Sequence, residues 1–230
     1  AYCSGKTSGT IAPDYMHLSR DFRNPYEHSK MESELKVRNF AKKTGIRCRY
    51  FRPSIVCGQL LEAPLGSNSK FDVFYQWAAY VLRLKLKMLG TWKDTYADPL
   101  QVYMRFCVDV NDGLNIVSTD YVAKSMYEVC MQDDPGESYH LTNPQVLSHG
   151  YSIPKVLEIF NIRGLVLVDE MPENMNPLES IYYRTVGKIF TPYMKSESMH
   201  FDTSNLENVW KTANLTCPPI DKDNLSLIHL

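Results

Sequence analysis

The chain has 230 residues, 44% of them apolar and 22% charged, with a formal net charge of −1. That length buries one sizeable core, or a large domain with a small lobe, and no apolar run reaches membrane-spanning length. The near balance of 25 basic and 26 acidic residues gives no electrostatic case for nucleic acid or an anionic membrane surface as a partner.

Residues 1–23 are rich in Ser, Gly, Thr and Pro and read as loop after a strand end. From Asn24 to about Lys43 the pattern turns helical, with Asn24 as N-cap, Pro25 at the first helical position and Gly45 as terminator. "IRCRYFRPSIVCG" follows as one strand that closes on Gly58, and residues 59–72 are loop. The stretch "FYQWAAYVLRLKLKML" is interrupted by Arg83, Lys85 and Lys87, so residues 73–89 read as an amphipathic helix over a core or apolar groove. Residues 90–112, which include Asp94, Asp98, Asp109 and Asp112, read as irregular. Further along, "LNIVSTD" is a short strand entering a helix over 121–131, and "SYHLTN" is another strand. A helix over 152–160 and a strand at "GLVLVDE" precede a Pro-punctuated, partly helical tail over 173–230.

This alternation predicts an α/β fold: part of a doubly wound, Rossmann-like parallel sheet with a smaller, mainly helical C-terminal lobe. Residues 1–170 are expected to hold the C-terminal part of the nucleotide-binding domain with inserted lobe segments, and 171–230 the lobe. The six cysteines, Cys3, Cys48, Cys57, Cys107, Cys130 and Cys217, lack C-x-x-C spacing. They read as buried or half-buried thiols in a reducing, cytoplasmic compartment, with no metal site.

Within the first helix, "RNPYEHSKMESE" places Tyr26 four residues before Lys30. Positions i and i+4 share a helix face, and a fixed ammonium beside a phenol favours the phenolate. Such a pair can pass a proton to or from a carbonyl or alcohol oxygen. The same spacing also describes a tyrosine packed on a lysine stem on a solvated face.

Context separates the two readings. Tyr26, Ser29, Lys30 and Glu34, followed by Arg52, Pro53, Val56 and Gly58, resemble the active-site helix and following strand of extended short-chain dehydrogenases/reductases. The resemblance implies Tyr26 as general acid/base that also contacts the coenzyme, and Lys30 as the residue that holds the nicotinamide ribose and favours ionisation of the tyrosine. It also implies that the Pro53, Ser54, Ile55 and Val56 backbone lies beside the nicotinamide. Two family features lie outside the sequence: a Gly-x-x-Gly-x-x-Gly diphosphate loop, and a Ser or Thr five residues before the glycine matched by Gly5. The chain is therefore expected to be the C-terminal portion of a longer reductase whose N-terminal Rossmann half is a partner segment. Ser4, Thr7 and Ser8 are off the required spacing. Alone, the 230 residues are expected to have little or no activity and to aggregate or need a partner segment.

Within that superfamily, Cys57 and Gln59 around Gly58 depart from the epimerase pattern. "LNIVSTDYVA", with Asn115, Asp120, Tyr121, Val122 and Ala123, is similar to the fatty-acyl and thioester reductases, and "FDTSN" and "CPPID" extend the likeness. The resemblance implies reduction of an acyl thioester on coenzyme A or a carrier protein, with NADP(H) preferred over NAD(H). A sugar-nucleotide epimerase or dehydratase and a non-catalytic binding member of the fold are the alternatives. Asp120 is expected to cap the helix starting at Tyr121 or to shape the substrate side. His140 and His149 read as structural. The aromatic residues of 71–106 and the methionine-containing tail read as core or as the wall of an acyl tunnel.

Overall fold

The computed structural model describes residues 8–16, 22, 24–70, 74–90, 96–132, 136–195 and 199–229. Cys3, Ser4, Gly5, Thr7, Asp94 and the first residue of the helix predicted over 73–89 lie outside the described residues. In chain order the elements are β1 (Gly9–Ile11), α1 (Pro25–Thr44), β2 (Tyr50–Pro53), β3 (Ile55–Cys57), α2 (Phe74–Leu89), β4 (Leu100–Cys107), β5 (Gly113–Leu114), β6 (Ile116–Ser118) and α3 (Thr119–Cys130). They continue with β7 (Ser138–Leu141), β8 (Leu147–Ser148), α4 (His149–Ile159), β9 (Ile162–Val168), α5 (Pro177–Arg184), α6 (Val186–Met194), β10 (Met199–Phe201), α7 (Glu207–Ala213) and α8 (Lys222–His229).

Two compact units interleave along the chain. The first comprises Ala1–Leu61, Asn115–Pro144 and Glu197–Pro218; the second comprises Glu62–Leu114, Gln145–Ser196 and Pro219–Leu230.

In the first unit, α1 follows its local signals. Asn24 accepts a hydrogen bond from the Glu27 N–H at 3.0 Å, Pro25 needs no donor partner in the first turn, and Gly45 adopts φ 72° to end the helix. The predicted single strand over 46–58 is instead two short strands that break at Ser54 and pair with different neighbours. β2 runs parallel to β7, β3 parallel to β6, and β1 parallel to β10. Burying strands on both faces favours the near-continuous apolar runs seen here. Val117, Tyr121, Val129, Tyr139, Leu141 and Leu206 form the core of this unit.

The second unit is built on β4 and β9, also parallel. β4 corrects the irregular reading of 90–112. In "LQVYMRFC" the residues Leu100, Val102, Met104 and Phe106 are buried while Gln101 and Tyr103 face outward, the period-two signature of a strand. The scattered aspartates and aromatic residues around it obscured that alternation. β10 is a second strand that the tail's proline punctuation hid. Trp77, Ala78 and Val81 of α2 pack with Met104, Phe106, Ile153, Phe160 and Tyr182. Lys85 lies on the same buried face rather than in solvent, and its Nζ donates to the Phe160 carbonyl at 2.5 Å. An ammonium at the end of α4 meets that helix's negative pole.

Among the described residues, four of the five strand pairings are parallel, the exception being the short β5–β8 pair. The fold is α/β and Rossmann-like with a helical portion, as the sequence predicts. Among the described residues, no helix is long and apolar enough to cross a membrane.

Candidate active site

The geometry of α1 follows from its sequence spacing. At 3.6 residues per turn, each four-residue step rotates about 40° around the helix. Tyr26, Lys30, Glu34 and Arg38 therefore form a slowly turning ridge. It starts in the open, where Tyr26 is 61% exposed, and ends against the sheet, where the Glu34 side chain is 17% exposed. The Lys30 ammonium stands 5.4 Å from the centroid of the Tyr26 ring. Ser29, between them, donates its hydroxyl to the Tyr26 carbonyl at 2.8 Å and so is committed to the helix backbone.

At the sheet end of the ridge, Glu34 joins three elements. Arg52 on β2 donates through Nη2 to Glu34 Oε1 at 2.6 Å and through Nε to Oε2 at 3.1 Å. Arg38 donates Nε to Oε1 at 2.8 Å, and its Nη2 reaches Ser138 Oγ on β7 at 2.6 Å. Arg52 also donates Nη1 to the Tyr15 carbonyl at 2.8 Å. Arg38 lies over the Tyr50 ring, 3.9 Å from its centroid. Burial acts to raise the Glu34 carboxyl, but the Arg52 and Arg38 guanidiniums outweigh it and hold the group below the usual carboxylate range.

The segment that begins beside Arg52 is fixed by its neighbours. The Ser54 N–H donates to the Leu141 carbonyl at 3.2 Å and the Ile55 N–H to the Asn115 carbonyl at 3.1 Å. Pro53 is half-buried, Ser54 is buried with its Oγ lacking a hydrogen-bond partner among the described residues, and Val56 faces outward. Cys57 is fully buried, and burial pushes its thiol up to about 12, which favours the protonated form.

Beyond Cys57 the expected role of Asp120 needs correction. The α3 helix starts at Thr119, with Ser118 in the N-cap position, so Asp120 lies inside the first turn and is not the cap. Its carboxylate instead accepts the backbone N–H groups of Leu60 and Leu61, at 3.2 and 2.6 Å, and that of Tyr121 at 2.9 Å. Thr119 donates its hydroxyl to the Cys57 carbonyl at 2.7 Å. These bonds fix the loop leaving the carboxyl end of β3, the edge at which ligands bind in open parallel sheets.

Both histidines singled out by the sequence are buried. His140 Nδ1 lies 3.2 Å from the Asp202 carbonyl and the ring meets Phe201 edge-on. His149 opens α4 in the second unit, where it lines an apolar cleft with Trp77, Ile153, Phe190 and Met194; burial keeps its imidazole below the ordinary range.

The phenol and ammonium of α1 and the backbone of Pro53–Val56, which runs from the end of β2 into β3, are the donor set that the nicotinamide end of a dinucleotide would require. Tyr26 and Lys30 stand on one exposed helix face, and Lys30 makes no ion pair among the described residues. The 230 residues hold no Gly-x-x-Gly-x-x-Gly loop for the diphosphate.

Parallel strands linked by helical crossovers, with a Tyr-x-x-Ser-Lys helix tied to an Arg-Pro strand, define an extended short-chain dehydrogenase/reductase. The male sterility protein family matches residues 1–126, more than half of the chain, and the chain belongs to that family. Sequence comparison with curated proteins finds no match.

Solved structures share the fold over nearly the whole chain. The terminal R domain from the myxalamid PKS-NRPS biosynthetic pathway aligns at a TM-score of 0.66 and 16% identity, covering 99% of this chain and 54% of that one. A thiolation-reductase di-domain from an archaeal non-ribosomal peptide synthetase aligns at 0.59 and 15%, covering 95% and 49%. UDP-glucuronic acid 4-epimerase from Bacillus cereus, in complex with NAD, aligns at 0.55 and 12%, covering 100% and 57%. The chain thus spans about half the length of the structures it matches, and at these identities the likeness is one of fold.

Proposed function

We propose that this chain carries the acid–base half of an NAD(P)H-dependent reductase of acyl thioesters, the acyl group being borne by coenzyme A or a carrier protein. The observation that carries this reading is the Tyr26–Lys30 face of α1, joined through Glu34 and Arg52 to β2, which leads directly into the segment Pro53–Val56. The unit that holds α1, residues 1–61, 115–144 and 197–218, belongs to the nucleotide-binding domain, and the other unit forms the substrate lobe. The remaining nucleotide contacts come from an N-terminal Rossmann half of the same protein. Similarity to reductase domains of PKS-NRPS and thiolation-linked systems supports a carrier-bound thioester.

A nicotinamide bound at this face supplies hydride to a carbonyl carbon. The backbone of Pro53, Ser54, Ile55 and Val56 would line the ring. Lys30, on the same exposed face as Tyr26, would donate to the ribose hydroxyls. Hydride addition to the thioester carbonyl carbon breaks the C–S bond, thiolate departs and an aldehyde results. When a hydride from a second NAD(P)H reduces the aldehyde, the Tyr26 hydroxyl would give its proton to the carbonyl oxygen and the alcohol forms. NADP(H) is the preferred coenzyme in this reading, with NAD(H) as the alternative.

Likeness to a UDP-glucuronic acid 4-epimerase favours a second reading, sugar-nucleotide epimerisation or dehydration. The test uses the full-length protein with NADPH and a long-chain acyl-CoA, and separately with NAD and UDP-glucuronic acid. Coenzyme oxidation with aldehyde or alcohol formation, lost in Tyr26→Phe, is the expected result. Turnover of the nucleotide sugar alone would replace the first reading with the second. Binding without turnover of either would make the protein a non-catalytic member.

A further inference from the structure

The motif residues Glu34 and Arg52 do more than continue the sequence pattern: they join the two elements that carry the proposed site. Tyr26 and Lys30 lie on α1, two turns and one turn before Glu34, a distance of about 12 Å and 6 Å along the axis. On β2, Arg52 immediately precedes Pro53. A fork-on-fork pair between Glu34 and Arg52 therefore sets how far along, and at what rotation, the tyrosine helix sits over the Pro53–Val56 backbone. Arg38 extends the restraint to β7 through Ser138, and the third Arg52 donor reaches back to Tyr15, upstream of the helix.

An apolar contact would hold α1 less firmly in place. Among the residues of α1 only Glu27 is buried, and Val37 and Phe40 are exposed, so the described residues pack little apolar surface against this helix. Side chains on a smooth apolar face tolerate sliding, whereas two parallel N–H···O bonds at 2.6 and 3.1 Å define distance and orientation together. The Arg52 side chain is 4% exposed, so removal of Glu34 leaves a buried guanidinium without its carboxylate.

We infer that Glu34, Arg52 and Arg38 are positioning residues that hold the Tyr26–Lys30 face in register with the coenzyme-facing strand. This rests on the reading of Tyr26 as acid/base. Displacement of a reacting group by about 1 Å can cost on the order of 100-fold in rate, whereas coenzyme affinity gathers contacts from elsewhere in the domain.

Stability and positioning can be separated because neutral pairs of similar volume often restore the stability that a broken buried ion pair loses. The experiment compares wild type, Glu34→Gln, and the double variant Glu34→Gln/Arg52→Met in the full-length protein. It reads NADPH dissociation constant, turnover with a long-chain acyl-CoA, thermal midpoint, and deuterium exchange of amides in 25–44 and 50–56. The expected result is a lower midpoint in Glu34→Gln that the double variant recovers. Turnover should fall at least 10-fold in both variants, NADPH affinity should change less than threefold, and exchange in the two segments should quicken in both. Recovery of turnover and of exchange protection together with the midpoint in the double variant would overturn the inference, leaving the pair as a stability device. A wild type inactive on acyl-CoA would refute the substrate reading while exchange still decides the positioning claim. If Glu34→Gln does not fold, the double variant carries both readouts by itself.

Discussion

Asp120 holds Leu61: its carboxylate accepts the Leu61 N–H at 2.6 Å and the Leu60 N–H at 3.2 Å, some sixty residues away in sequence. Leu60 is buried, so its donor has no access to water as a substitute. Asp120→Ala should therefore destabilise the protein by about 2 kcal/mol, and Asp120→Asn by less, since an amide carbonyl still accepts one bond. Urea unfolding measures both. A change below about 0.5 kcal/mol in the alanine variant would show that the loop needs no anchor.

A second prediction concerns acid. Glu179 completes a capping box with Asn176 and accepts Nε and Nη2 of Arg105 at 2.7 Å each, together with the Arg105 N–H at 2.8 Å. The Arg105 hydrogen bonds, against a smaller opposing effect of burial, hold its carboxyl at about 2, below the ordinary 4.5. A group lowered on folding contributes stability in full above its unfolded value and loses it as pH falls toward the folded one. The difference in stability between wild type and Glu179→Gln should be largest above pH 5 and should shrink between about pH 4.5 and pH 2. Glu34, shifted in the same direction, adds to the acid sensitivity of the wild type. Denaturant melts of the two proteins at pH 6 and pH 3 give the comparison, and a gap independent of pH would contradict it.

The β4–β9 pair carries a third. Register shifts between Gln101 and Met104, so Val102 and Tyr103 together face Gly164 alone. Gly164 has φ 87°, and a Cβ there would stand 2.5 Å from the Val102 carbonyl oxygen. Both the conformation and the close backbone approach require glycine. Gly164→Ala should cost about 2 kcal/mol or more, with the loss visible as faster amide exchange in 100–107 and 162–168. An alanine variant as stable as wild type would mean that the bulge relaxes without cost.

What the sequence disclosed, and what it hid, follows the range of the interactions. The ends of α1 were legible because Asn24, Pro25 and Gly45 act on their own neighbours. Tyr26, Lys30, Glu34, Arg52 and Pro53 were recognisable as a pattern, yet nothing local says that Glu34 and Arg52 bond each other, since that contact spans 18 residues and a turn of chain. The Glu34–Arg38 spacing of four was a readable signal for the third member of the cluster. Lys85 misled because a charged residue reads as a solvent-facing break, whereas a free carbonyl at the end of α4 gives its ammonium a buried partner. Asp120 misled in another way. Position near a helix start suggested a cap, and only the fold brings the N–H groups of residues 60 and 61 within reach.

Lys30 supplies the last test, because its proposed work differs in kind from that of Tyr26. Its ammonium lies 5.4 Å from the Tyr26 ring centroid on the same exposed face, close enough to act on the phenol and free to meet a ribose. Removing the charge should therefore harm two quantities, coenzyme binding and proton transfer, while removing the Tyr26 hydroxyl should harm only the second. In the full-length protein Lys30→Met is expected to weaken NADPH binding about 10-fold, the worth of roughly 1.4 kcal/mol, and to lower turnover further. Tyr26→Phe should bind NADPH within about threefold of wild type and lose turnover by about 100-fold or more, the usual scale of a general acid. Folding should be intact in both, since Tyr26 and Lys30 are exposed and bury no core contact. Fluorescence titration of NADPH beside steady-state rates separates the two roles. Equal loss of binding in the two variants would remove the division of labour and leave the pair as a coenzyme contact alone.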